Sequence, residues 1–402
     1  MAFVAQAADG RTIRYVDGKR YLWLLSLTAP VVPLFSVYWY GWSGGVALTL
    51  LFPLFYTFVM VPIIDAIMGE DRHNPPEEVV PLMSQDNYYR VLLYIGIALL
   101  FVDFFVVAKF IGETALPVWA FIGLSLGTGY ASANAILLGH ELGHKNNALD
   151  RFAAQVVNAL VGYGHFCIEH NRGHHVQVST PEDFASSRMG ESIYKFLRRE
   201  IPGALRRGWS HERERLAKLG VASPWTWRND ILQSWALTLV IAAALFAQFG
   251  WIMAPFLLIH HFYGWYGLTQ ANYVEHYGLL RQKLPNGRYE LCEPRHSWNT
   301  NHIYSNLASF HLQRHSDHHA NALRPYQSLR DFDDLPRLPS GYPGCFGMAA
   351  IPWLWFKVMD PKVMAWAGGD ITKVNIDPDK KDKLYAKYGK QSAAMQGATA
   401  AI

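Results

Sequence analysis

Residues 115–144 read ALPVWAFIGLSLGTGYASANAILLGHELGH. Ala115–Leu138 carries no charge and is long enough to cross ~30 Å of hydrocarbon as a helix, which takes ~20 residues. The run then ends on HELGH, with His140 and His144 four residues apart and so one above the other on a helix face. In isolation HELGH is the H-E-x-x-H pattern of a zinc protease. Its place at the end of an apolar span makes the surroundings decisive.

Five more apolar runs flank this one: Tyr21–Gly41, Val46–Ile67, Val91–Phe110, Ile231–Phe249 and Trp251–Gln270. The 402 residues are 51% hydrophobic, 14% aromatic and only 17% charged. A soluble chain rarely carries six such runs, so they are read as six transmembrane helices. Tyr38, Trp39, Tyr40 and Trp42 suit a headgroup belt. Lys and Arg set the orientation. Arg11, Arg14, Lys19 and Arg20 precede the first span, and basic residues crowd both His140–Asp230 and the chain beyond Glu275. Both termini and both long polar segments are therefore expected in the cytoplasm, with the first span an uncleaved anchor. The expected organisation is a cytoplasmic segment 1–20, transmembrane helices one to four within 21–138, and a cytoplasmic segment 139–230. Transmembrane helices five and six follow within 231–270, then a cytoplasmic segment 271–390 and a flexible tail 391–402. A net charge of +4 without a basic stripe interleaved with aromatics excludes nucleic acid as a partner. Cys167, Cys292 and Cys345 have no paired spacing, which fits a reducing compartment.

Ten of the seventeen histidines lie in HELGH (140–144), HFCIEHNRGHH (165–175) and HLQRHSDHH (311–319). His140 and His144, His170 and His174, and His315 and His319 are each spaced i, i+4; His175 lies beside the second pair and His318 within the third. Such residues share a helix face and can hold a metal between them. A catalytic zinc uses three protein ligands. Eight well-placed imidazoles, and a ninth at His276 in NYVEHYG, exceed even the six positions of an octahedral ion. Two metal ions are therefore expected, and imidazole alone leaves Zn, Cu, Fe and Ni open. The expected fold is all-α: a polytopic membrane protein whose helical cytoplasmic cap carries a histidine-rich dimetal site.

HELGHK, EHNRGHH, NYVEHYG and LQRHSDHHA, followed by RPYQSLR, resemble the membrane-bound alkane 1-monooxygenase family, within the wider desaturase and hydroxylase group. The second box reads H-x-x-x-H-H, where fatty-acid desaturases usually have H-x-x-H-H. The resemblance implies that His140, His144, His170, His174, His175, His276, His315, His318 and His319 bind two non-haem Fe ions. It implies conversion of the terminal methyl of a medium-chain n-alkane to a 1-alkanol with O2 and two electrons. The implied electron donor is rubredoxin with its flavoprotein reductase; these 402 residues hold no paired cysteines of a rubredoxin, so the donor is another polypeptide or a domain beyond the tail 391–402. The substrate would come from the lipid bilayer.

Nine neutral ligands leave the metal charge uncompensated, so carboxylates should accept the distal imidazole N–H bonds. Glu141, Glu169, Glu275 and Asp317 are the candidates, with Asp150 and Asp183 weaker ones. Cys167, one turn before His170, is read as a small buried hydrophobe rather than a ligand. End-on delivery of a methyl group needs a narrow channel. Gly127, Ala131 and Ala133 are the proposed substrate-channel residues, although close helix packing is the better explanation for Gly127, as for Gly123. The basic stretches 281–295 and 373–390 could steer an acidic electron donor. The competing readings are a membrane fatty-acyl desaturase or another hydroxylase and, from a different class, a transition-metal transporter or membrane zinc protease.

Overall fold

The computed structural model describes residues 2–389, so the expected tail 391–402 lies outside the described residues. Among the described residues, five helical stretches are long and apolar enough to cross a membrane: Leu22–Trp42, Ala47–Met68, Asn87–Glu113, Val118–Gly143 and Asp230–His276. The last runs 47 residues, which as one helix would measure roughly 70 Å, more than twice a hydrocarbon core. It is broken at Gly250, whose φ of 72° is a left-handed conformation that glycine adopts without steric cost. The two legs are Asp230–Phe249 and Met253–His276.

The first two stretches are irregular because of proline. Pro30 and Pro33 interrupt the first, which is 3-10 helix over Leu22–Leu27 and Ala29–Val31 before α1 (Val32–Trp42). In the second, Pro62 cannot donate to the carbonyl one turn back, and the preceding Tyr56–Met60 opens into a π turn. The next two are regular: α2 (Asn87–Glu113) starts on Asp86, which caps the Tyr88 N–H, and α3 (Val118–Gly143) carries His140 in its last turn. After α4 (Ile193–Lys218) come α5 (Asp230–Phe249) and α6 (Met253–His276).

Helices α3 and α6 lie close together and run in parallel. A Cβ at Gly129 would sit 2.7 Å from the His260 carbonyl oxygen, and one at Gly267 would sit 2.6 Å from the Ala133 Cβ. Small residues thus set the approach of the two helices that deliver His140 and His276 to one end of the bundle. Beyond that end a second core gathers Phe196 of α4, Tyr273 and Tyr277 with Trp298, and Trp355 and Met359. It belongs to α4, the end of α6, α9 (Tyr342–Ala349) and α10 (Pro352–Trp366), the two short helices α7 (Ile303–Ala308) and α8 (His315–Ala320) lying between.

The all-α expectation needs one correction. Residues 2–16 form an antiparallel hairpin, β1 (Ala2–Gln6) paired with β2 (Thr12–Val16) in the register Ala2 to Val16. Ala8 and Asp9 make its turn, closed by the Gly10 N–H donating to the Ala7 carbonyl with Gly10 left-handed, and FVAQ and TIRYV alternate in burial in the manner of strands.

Candidate metal centre and adjoining cavity

The nine histidines of the four motifs converge in two groups. His140, His144, His170, His175 and His318 form one; His174, His276, His315 and His319 form the other. Within each group one nitrogen of every ring lies within 4.8 Å of all the others. In the group of five, His140 Nε2 is 2.8 Å from His318 Nε2, which is 3.1 Å from His175 Nε2, itself 3.0 Å from His170 Nε2. In the group of four, His315 and His319 bring their Nε2 atoms to 2.8 Å. The groups adjoin, with the His175 and His319 ring centroids 4.6 Å apart.

Local backbone sorts the second motif. His170–His174 is a π turn between the helical pieces Phe166–Glu169 and His175–Gln177. Five residues rather than four then bring side chains into register. His170 therefore meets His175, and His174 turns to the other group. The α-helical pairing of His170 with His174 expected from spacing is corrected accordingly. In α8 the spacing is ordinary, and His318 joins His140 while His315 and His319 face His276.

A neutral imidazole has a single N–H, so facing nitrogens at 2.8–3.1 Å cannot all be hydrogen-bonded. His144 Nε2, His174 Nε2 and His276 Nε2 are buried with no hydrogen-bond partner. Orphaned lone pairs aimed at common points are what a transition-metal ion satisfies, so the donor sets fit two imidazole-ligated metals. Burial pushes His175 down to about 2 and holds His170, His318 and His319 far below the ordinary imidazole value. These rings stay neutral, the form that ligates. For His174 burial acts the same way, but the adjacent Asp183 carboxylate outweighs it and raises the value.

An apolar cavity runs from this cluster between the spans. Its polar end holds His140, His170, His315, Asn272, Glu275 and Tyr342. Gly127, Ala131 and Ala133 of α3 line its wall, facing Pro53 and Val61 of the second span. Gly127 also meets the packing expectation, since a Cβ there would lie 2.6 Å from the Pro53 Cβ.

Over residues 115–347 the chain matches the sequence profile of the fatty acid desaturase family. It is 50% identical over 398 residues to alkane 1-monooxygenase 1 of Alcanivorax borkumensis, covering 98% of this chain and 97% of that protein. It is likewise 50% identical over 390 residues to the alkane 1-monooxygenase of Ectopseudomonas oleovorans, covering 96% of each. The chain belongs to the alkane 1-monooxygenase family. A more distant likeness is to the xylene/toluene monooxygenase hydroxylase component XylM of Pseudomonas putida, 27% identical over 346 residues, 84% of this chain and 85% of that one. As a family member this is a multi-pass membrane protein with a histidine-rich metal site.

In this alkane 1-monooxygenase family member the carboxylates fall differently from the sequence expectation. Glu141 accepts from Lys145 Nζ at 2.6 Å, Glu169 from Arg207 Nε at 2.8 Å, and Asp317 from Arg330 Nη2 at 2.8 Å. Their partners are cations rather than imidazoles. Asp150 serves Arg90 and Tyr94. Asp183 is the carboxylate that holds a ring: His174 Nδ1 donates to its Oδ2 at 2.8 Å, which leaves the Nε2 lone pair for the group of four. Burial alone would raise Asp183, but His174 and Arg207 keep it well below the usual carboxylate range. Arg207 donates to both Glu169 and Asp183 and so ties α4 to the second motif. Nothing in the sequence marked Arg207, a lone cation on the buried face of an amphipathic helix.

Glu275 takes another position. Its Oε2 lies 3.1 Å from His315 Nε2, on the side of the ring that faces the group, and its Oε1 accepts from the Tyr342 hydroxyl at 2.7 Å. Cys167 Sγ donates to the Gly139 carbonyl at 3.4 Å and accepts from Asn158, and burial pushes its thiol up to about 12. It holds the helices together rather than joining either histidine group. The other histidines stand apart. His165 lies against Tyr163 with the rings tilted, His311 lies against Trp23, and His260 bonds Ser132 within the bundle.

Proposed function

We propose that this chain is a non-haem di-iron monooxygenase converting the terminal methyl of medium-chain n-alkanes to a 1-alkanol. The balance is alkane, O2, two electrons and two protons giving alcohol and water, with rubredoxin as the electron donor. The observation that carries this reading is the joining of two buried imidazole groups to the polar end of an apolar cavity. The named activity of the 50%-identical relatives agrees with it.

His140, His144, His170, His175 and His318 would hold one iron, and His174, His276, His315 and His319 the other. When bound, the pair would supply the O2-activating chemistry that a saturated C–H bond requires. The chain's own contribution is orientation and exclusion of water. Gly127 to His140 spans thirteen residues of α3, roughly 20 Å of wall along which an alkyl chain can lie end-on. Only a chain end then meets the histidines.

The membrane topology is read as six crossings. Helices α3 and α6 run in parallel toward the histidines, and α5 must return between them, which makes Gly250 the turn between the fifth and sixth crossings. The Lys/Arg bias of the segments on the histidine side supports reading that side, with both termini, as the cytoplasmic face of a bacterial inner membrane.

Iron quantification on the purified protein, combined with an octane assay containing rubredoxin and its reductase, tests the reading. Two irons per chain and 1-octanol as product are expected. One zinc per chain, loosely held metal, or octene as the product would overturn it.

A further inference from the structure

We propose that the polar end of the cavity carries a subsite for the hydroxyl group of a primary alcohol, formed by the amide oxygen of Asn272 and aimed by Glu200. The inference rests on the alkane-hydroxylase reading and adds to it a defined place for the newly made O–H.

Asn272 lies on α6 one turn before His276, lines the cavity, and is 6% exposed. Its Nδ2 donates to Glu200 Oε1 at 3.2 Å. The other carboxylate oxygen accepts from Thr269 Oγ1 at 2.8 Å, so Glu200 grips α6 at two points on one face. Above about pH 7, the value to which burial raises Glu200, its carboxylate accepts and does not donate, so the amide nitrogen of Asn272 faces it and the amide oxygen faces away, toward the cavity.

Glu200 is itself 1% exposed and has no bonded cation among the described residues; Arg199, its neighbour in sequence, donates to Glu191 at 2.8 Å. Burying a carboxylate against two neutral donors is costly. What the arrangement secures is the direction of one amide. Glu275, one turn along the same face, already accepts from Tyr342 and sits against His315, so its oxygens are engaged. Asn134 also lines the cavity, but six residues before His140, roughly 9 Å deeper along α3. Asn272, four residues and roughly 6 Å before His276 along α6, is the nearer of the two asparagines to the histidines.

The chemistry separates substrate from product. A methyl group has no donor, so an alkane leaves the Asn272 oxygen unpaired in an apolar site, which disfavours the complex. A 1-alkanol donates its O–H to that oxygen. The subsite therefore favours the product's hydroxyl and turns it away from the imidazoles.

The test compares binding of 1-octanol with that of heptyl methyl ether, a molecule of similar length that has an oxygen but no O–H donor. The full-length protein in nanodiscs at pH 8 is titrated with each, thermal shift is the readout, and empty nanodiscs correct for partitioning. The wild type should prefer the alcohol by about fivefold, the worth of one hydrogen bond. Asn272→Leu should bring the ratio to about one, and Glu200→Leu, which frees the amide to rotate, should lower it as well. A wild type that does not discriminate overturns the subsite, and this comparison needs no variant to fold. An unchanged ratio in Asn272→Leu also overturns it. Octane turnover is measured on the same wild-type preparation. An alcohol preference without 1-octanol production removes the hydroxylase reading and leaves the alcohol site; production without the preference does the reverse.

Discussion

His170 and His175 hold their Nε2 atoms 3.0 Å apart across a π turn, while His174, between them in sequence, faces the group that contains His276. The two groups are therefore unequal. Loss of one ring from the group of five leaves four donors, and loss of one from the group of four leaves three. His276→Ala and His174→Ala should each lower bound iron from about two to about one per chain, while His144→Ala keeps about two at saturating metal. Metal analysis with Mössbauer spectroscopy distinguishes these, and equal losses from all three variants would show that the nine rings act as a single set.

Asp183 fixes the ring of His174 from outside the group of four. Asp183→Asn removes the carboxylate that accepts the Nδ1–H, and the affinity of that group for iron should fall by roughly 10–100-fold. Chelator competition reads this directly. The group of five, which Asp183 does not touch, should hold its metal as before.

The channel assignment has a size-dependent consequence. Ala131 and Ala133 line the cavity wall within three turns of His140. Ala131→Phe or Ala133→Phe should shorten the longest n-alkane accepted while leaving the shortest ones converted, as read from product profiles across a chain-length series. An unchanged profile removes both residues from the channel.

Glu200 gives a pH dependence whose sign is fixed. Burial raises its carboxyl to about 7, above the ordinary 4.5. The folded state therefore holds a proton that the unfolded chain releases, and this contribution is full below about pH 4.5 and lost as pH rises through 7. The shift corresponds to roughly 3 kcal/mol. Glu200→Gln should flatten the fall in thermal stability between pH 5 and 8, and a variant that keeps the wild-type slope would place the titration elsewhere.

The sequence by itself determined which runs are apolar enough to cross a membrane and which nine histidines come together. A run such as Ala115–Leu138 carries no charge over a length that suits hydrocarbon, and nine closely spaced imidazoles are costly to bury without a shared partner. The hairpin Ala2–Gln6 with Thr12–Val16 also followed strand alternation, but at five residues a strand its signal is short beside the helical runs.

Only the tertiary structure decided how the rings are shared and which groups hold them. The π turn at His170–His174 changes the angular period of a few residues, which spacing read as an α-helix cannot register. Asp183 meets His174 through a loop, and Arg207 and Glu200 reach the site from α4, thirty residues or more along the chain from the motifs they support. Partners of this kind are chosen by which surfaces pack together, and the pattern of residues along one element does not contain that information.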